Sequence, residues 1–195
     1  MKIAITGNIG SGKSTFAGFA EESGFPVLRA DDISKNILET DQKVRALVIK
    51  AFGDKAFSNG KTNTIFLAME VFSDPIKLRK LESILHPRVI KSVEKSIKEL
   101  LKSNPVIFVE AALIYETDMQ DLFDYVVLIT SDRNLRLKRK IASGVTEEDF
   151  SKRELNQISE DEKKKSADFI FSNNSSIKEL NMKFNLLLIT IGLSK

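Results

Sequence analysis

The run Gly7-Asn8-Ile9-Gly10-Ser11-Gly12-Lys13-Ser14 follows four residues, Ile3-Ala4-Ile5-Thr6, that read as a buried strand, and it leads into a helical pattern. It fits G-x-x-x-x-G-K-[S/T] in the strand-to-helix setting that this motif requires. Glycines at Gly7, Gly10 and Gly12 allow backbone angles at which successive N–H groups converge on phosphate oxygens. The helix that follows adds the positive end of its dipole. Lys13 then supplies a point charge for the β- and γ-phosphates, and Ser14 a hydroxyl for Mg²⁺. A glycine-rich turn that binds nothing is the bland alternative. Lys13 and Ser14 at these offsets weigh against it. The motif specifies a nucleoside triphosphate and names no reaction.

Outward from the loop, short apolar runs alternate with longer helical patterns, the mark of an α/β fold with a parallel sheet. The expected strands are Ile3–Thr6, Val27–Leu28, Val106–Val109, Val126–Ile129 and Phe169–Phe171. Four of the five read as unbroken apolar runs of the kind found in strands covered on both faces. Between the second and third lies Asp31–Asn104, with no convincing strand and with helices broken at Gly53, at Ser58-Asn59-Gly60 and at Asp74-Pro75. One helix suffices for a crossover, so this stretch reads as an inserted helical lobe. Arg133–Lys165 reads as a charged helical pair turning near Ser143-Gly144-Val145. Ile177–Ile191 reads as a closing helix capped by Ser175 or Ser176. The expected organisation is a P-loop core with a five-stranded parallel sheet (1–30, 104–132 and 166–195), a helical lobe (31–103) and a helical lid (133–165).

Composition narrows the chemistry. The 195 residues include no Cys and one His, which excludes disulfides, thiol nucleophiles and Cys- or His-built metal sites. Carboxylates, Lys, Arg, hydroxyls and backbone must do the work. With 30 Lys+Arg against 27 Asp+Glu, the charge is too balanced for a polybasic membrane or nucleic-acid binder. Met1–Thr6 runs straight into Gly7 with no cleavage-type site, and no apolar run approaches the roughly 20 residues of a spanning helix. The expectation is a cytoplasmic protein, a monomer or weak oligomer, that engages neither membrane nor nucleic acid.

Three further groups of residues point from a nucleotide binder towards a kinase. Asp31 and Asp32 follow the second strand, where ligands meet a parallel sheet. The pair suits a helix cap and a carboxylate that positions an acceptor hydroxyl equally well. Glu110 ends the strand Val106–Val109, where a P-loop protein keeps the acid that orders Mg²⁺ through water; a solvated strand end is the alternative. The Arg133–Lys165 segment holds ten basic and seven acidic residues, and Arg133, Arg136, Lys138, Arg139 and Lys140 come without an intervening acid. So many cations are either solvated or face an anion, and a basic flap closing over ATP fits phosphoryl transfer. Interspersed acids and the lack of aromatic platforms disfavour nucleic acid.

The chain resembles the dephospho-CoA kinases along nearly its whole length. Ile5–Thr15 resembles T-G-G-I-G-S-G-K-S-T, and Ala30-Asp31-Asp32-Ile33 falls on D-A-D-x-I. Val71-Phe72-Ser73-Asp74 and Leu81-Glu82-Ser83-Ile84-Leu85-His86-Pro87 resemble V-F-x-D and L-E-x-I-x-H-P. Leu113-Ile114-Tyr115-Glu116 falls on P-L-L-F/Y-E, while Arg153, Gln157, Lys163 and Ala167-Asp168 keep the spacing of a lid-to-strand run. The resemblance implies transfer of the γ-phosphoryl of ATP to the ribose 3′-hydroxyl of dephospho-CoA. It implies that Gly10–Thr15, Thr15 included, cradle ATP, that Asp31 is the base or hydroxyl-positioning group, that Arg139 and Arg153 contact phosphates from the lid, and that His86 contacts the substrate. His86-Pro87 alone also reads as the entry to a helix starting near Pro87. The chain departs from the pattern at Arg29, where the family has Asp, and at Thr64, Glu110, Ala112 and Ala142. Another small-molecule P-loop kinase, or an ATP-dependent switch without catalysis, are the competing readings.

Overall fold

The computed structural model of the protein describes residues 1–193, the side chain of Phe72 excepted, so that part of the Val71–Asp74 segment lies outside the described residues. In chain order the elements are β1 (Lys2–Thr6), α1 (Lys13–Glu22), β2 (Val27–Arg29), α2 (Ala30–Thr40), α3 (Gln42–Phe52), β3 (Phe57–Ser58) and β4 (Lys61–Thr62). There follow α4 (Thr64–Ser73), α5 (Pro75–Leu100), β5 (Ile107–Glu110), β6 (Tyr125–Thr130), α6 (Arg133–Ala142), α7 (Glu147–Leu155), α8 (Glu160–Ser166), β7 (Phe169–Ser172) and α9 (Ile177–Thr190).

The main sheet has five strands in the order β2-β5-β1-β6-β7, all parallel. The strand in its middle, β1, feeds the glycine loop. Ile3 and Ile5 on one face and Ala4 on the other all sit at 0% exposure, so both faces of the strand are covered. Phe16, Phe19, Phe108, Phe184 and Leu187 pack into one core with them, with Phe16 and Phe184 edge to face at 5.4 Å. At the open edge, β7 alternates half-buried Phe169 and Phe171 with exposed Ile170 and Ser172. Among the described residues no helix is long and apolar enough to cross a membrane.

The chain divides into two compact units: Met1–Arg29 with the chain from Ile97 onward, and Ala30–Ser96. The second unit is mainly helical around Val44, Val48, Ala56, Leu67 and Leu85. Asp41 caps α3 by accepting the N–H groups of Lys43 and Val44, and Asn63 caps α4 through Phe66 N–H.

Three expectations need correction. The stretch read as strandless carries the hairpin β3–β4, paired through Phe57↔Thr62 and Ser58↔Lys61. Its turn is Asn59-Gly60, with φ of 50° and 78°, the two positive angles of the tight hairpin turn that Asn-Gly favours. The charged pair is three helices, because Ser159 accepts the Glu162 N–H at 3.2 Å and starts α8 anew. No helix starts at Pro87, which lies inside α5. There it removes the N–H that would reach the Ser83 carbonyl, yet the helix continues. Pro87 is exposed, while Leu85, Val89, Val93 and Ile97 form a buried stripe at four-residue spacing on another face.

Candidate active site

The loop between β1 and α1 is shaped by what its glycines touch. Gly7 has φ 149°, and a Cβ there would collide with the Ile129 carbonyl of β6. Gly12, at φ 101°, sits at the head of α1, and a Cβ there would strike the Asn173 side-chain amide. Only residues without a side chain allow both approaches. A turn closes inside the loop where Ser11 N–H donates to Asn8 O at 3.0 Å. Lys13 heads α1 with its Nζ 3.5 Å from Asn8 O. The Ser11 hydroxyl and Asn8 Oδ1 are buried without a hydrogen-bond partner. Thr15 lies exposed in the first turn of α1.

One corner of the loop carries oxygen donors. Ser14 Oγ donates to Glu110 Oε1 at 2.5 Å, where β5 ends. The other carboxylate oxygen, Oε2, takes Arg29 Nη1 at 2.6 Å, and Arg29 Nη2 reaches Glu21 at 2.8 Å. Partial burial works against the Arg29 charge, but Glu21 and Glu110 outweigh it and hold its pKa above the usual value. A hydroxyl and a carboxylate side by side are hard ligands suited to Mg²⁺, which takes one or two protein oxygens and completes its shell with phosphates and water. The described residues contain no group of three or more His, Cys, Asp or Glu that would hold an ion unaided. The donor set therefore fits a Mg²⁺ that arrives with the nucleotide.

The segment after β6 grips the loop from behind. Arg136, 6% exposed, donates to Ser131 O at 3.0 Å and to Ile9 O at 3.3 Å, pairs with Glu154 at 2.7 Å and lies over the Phe150 ring. Arg139 donates to Gly10 O, Ser131 Oγ and Asn173 O at 3.3, 3.1 and 2.7 Å. Asn173 Nδ2 donates to Ser11 O at 2.8 Å, and Gln157 Oε1 accepts the Ile9 N–H at 2.8 Å. Beneath them Lys163, its side chain wholly buried, donates to Ala112 O at 3.2 Å and pairs with Glu116 at 2.9 Å. Glu116 in turn accepts the Ile158 N–H at 2.9 Å. The neighbouring Tyr115 hydroxyl is buried without a partner; burial, then the Asp168 charge, push its pKa up to about 12.

Of the residues singled out from the sequence, the structure brings together Gly7, Gly10, Ser11, Gly12, Lys13, Ser14, Glu110 and Arg139 at one end of the first unit. Arg153 is exposed on the last turn of α7. Asp31 lies exposed in the first turn of α2, beside Asp32, which pairs with Lys35 at 3.1 Å; His86 is half-buried within α5. Both belong to the helical unit. Arg136 and Asn173 were not legible as site residues. The three-residue spacing of Arg133, Arg136 and Arg139, which puts them on neighbouring positions of one helix face, was the available signal.

A five-stranded parallel sheet whose middle strand opens into such a loop defines the class: this is a P-loop kinase fold. A shikimate kinase of Acinetobacter baumannii shares it, with a TM-score of 0.55 at 15% identity over 99% of this chain and 95% of that one. A family model described as dephospho-CoA kinase matches residues 1–179. The dephospho-CoA kinase of Fusobacterium nucleatum is 35% identical over 98% of both chains. The solved structure of the dephospho-CoA kinase from Campylobacter jejuni superposes with a TM-score of 0.73 at 28% identity over 98% of each. The chain belongs to the dephospho-CoA kinase family.

Proposed function

We propose that this chain transfers the γ-phosphoryl group of ATP to the ribose 3′-hydroxyl of dephospho-CoA, giving coenzyme A and ADP in the last step of coenzyme A synthesis. The observation that carries the reading is the glycine loop of Gly7–Ser14, held in shape by Ile129, Arg136, Arg139 and Asn173 inside a chain matched by the family along nearly all its length.

The transition state of phosphoryl transfer is loose, so alignment and charge count for more than base strength. In this reading the backbone of Gly10–Thr15 receives the phosphates, Lys13 draws charge from the transferring group, and Asp31 aligns the acceptor hydroxyl and takes its proton. Ser14 directly and Glu110 through water would hold Mg²⁺, which when bound neutralises phosphate charge. Arg139 supports the loop through Gly10 O, and Arg153 meets ATP when 133–165 closes as a lid and excludes water. The helical lobe, with His86, receives dephospho-CoA. The protein works in the cytoplasm as a monomer or weak oligomer.

The test is incubation with ATP, Mg²⁺ and dephospho-CoA, followed by mass spectrometry. One phosphate on the 3′ position with equimolar ADP is expected; ATP binding without that product overturns the reading. Asp31→Asn should lower kcat by about 10²–10⁴-fold and leave ATP affinity alone. Near-normal turnover would leave Asp31 only as an acid in the first turn of α2, favoured there by the helix dipole. Lys13→Ala should abolish the rise in Tm that ATP gives.

A further inference from the structure

We propose that Arg29 is a resident counter-ion to Glu110 and, by competing for that carboxylate, sets how much Mg²⁺ the phosphate site requires. The inference rests on the reading that Ser14 and Glu110 form the metal-facing corner.

Arg29 ends β2 and Glu110 ends β5, and the parallel register sets the two opposite each other. The Glu110 carboxylate is engaged on both oxygens, Oε1 by Ser14 at 2.5 Å and Oε2 by Arg29 at 2.6 Å. Its side chain is 12% exposed and that of Arg29 28%, so water screens the pair less than a surface pair. Glu21 holds the other arm of the same guanidinium at 2.8 Å. Arg29 thus bridges two acids and leaves Glu110 little charge to offer a second cation. Where the family pattern has an acid, this chain has a fixed positive charge one carboxylate away from the Ser14 hydroxyl. A cation so placed repels a divalent ion and occupies its ligand; it also fixes the extra torsion by which Glu exceeds Asp.

The test measures binding of a non-hydrolysable ATP analogue by calorimetry, in EDTA and across a Mg²⁺ titration. Arg29→Gln should lower the Mg²⁺ concentration for half-maximal enhancement about tenfold, because one nearby positive charge is gone. Arg29→Lys, which keeps the charge, should stay near the wild-type midpoint. A lowered Tm with an unmoved Mg²⁺ midpoint would make Arg29 merely structural and overturn the proposal. Should Arg29→Gln not fold, Glu21→Gln serves instead: it leaves the guanidinium to Glu110 alone and should raise the midpoint, and an unchanged midpoint overturns the idea. If wild type binds no analogue under any condition, the phosphate-loop reading falls, and this proposal with it. Analogue binding with equal midpoints sinks this proposal alone.

Discussion

The two units bury different things. Among the described residues, every polar or charged residue buried as a whole, from Thr6, Asn8 and Ser11 through Ser131, Arg136 and Lys163 to Asn173, belongs to the unit carrying the glycine loop. The helical unit encloses aliphatic and aromatic side chains, and ion pairs such as Arg88–Asp41, at 3.4 Å, stand partly open to solvent. A buried polar group is costly unless each partner is in place, so it is retained where a backbone must be held in one shape. The glycine loop is such a backbone. The helical unit needs only volume and caps, and tolerates change accordingly.

Glycine substitution probes this contrast most sharply. Gly7→Ala drives a Cβ into a backbone carbonyl at a strained φ and should cost about 4 kcal/mol or more, with loss of nucleotide binding. Urea denaturation and calorimetry measure both. Next comes Lys163→Met, which strands Glu116 in a dry setting and should cost about 3 kcal/mol. Arg88→Ala in the helical unit, removing an exposed pair, should cost less than about 1 kcal/mol by the same measurement. Equal losses for these two would dissolve the distinction between the units. Gly53→Ala, at φ 84° with open space around its Cβ, should cost about 1–2 kcal/mol from backbone strain alone.

Tyr115 differs in sign. Tyr115→Phe removes a buried hydroxyl that bonds to nothing, so stability at neutral pH should hold or rise by up to about 1 kcal/mol. Its folded pKa of about 12 lies above the unfolded value near 10. The folded state thus keeps a proton that the unfolded chain releases. The Tyr115 contribution is full below about pH 10 and is lost as pH climbs through 12. Denaturation between pH 9 and pH 11.5 should show a steeper alkaline decline in wild type than in Tyr115→Phe.

Much of this was readable from the chain. Val106–Val109 and Val126–Ile129 announce themselves as apolar runs because β5 and β6 are covered on both faces, Phe169–Phe171 reads the same way although Ile170 of β7 is exposed, and the loop shows because its geometry tolerates no other residue at Gly7 and Gly12. Asn59-Gly60 was visible but misjudged: a helix-breaking pair and a hairpin turn look alike until the flanking residues pair. Pro87 misled because local propensity yields to a packed stripe elsewhere on the same helix. The basic run 133–140 seemed to offer two fates, water or an anion. Arg139 takes a third, spending its donors on neutral oxygens around the loop, and Arg136 adds the Ile9 carbonyl to its pairing with Glu154; no charge count reveals that. Asn173 lies about 160 positions from its partner, Ser11; nothing local marks such a contact.

The order of the sheet has a consequence for how the protein is made. β1 and its loop precede every other element described here yet occupy the centre, and β1 finds its neighbours only when β5 and β6 emerge. The amide that ties down Ser11 comes later still, after β7. A nascent chain therefore carries its nucleotide motif in full long before it owns a finished cradle, and gains one only once the residues that follow β7 have been added.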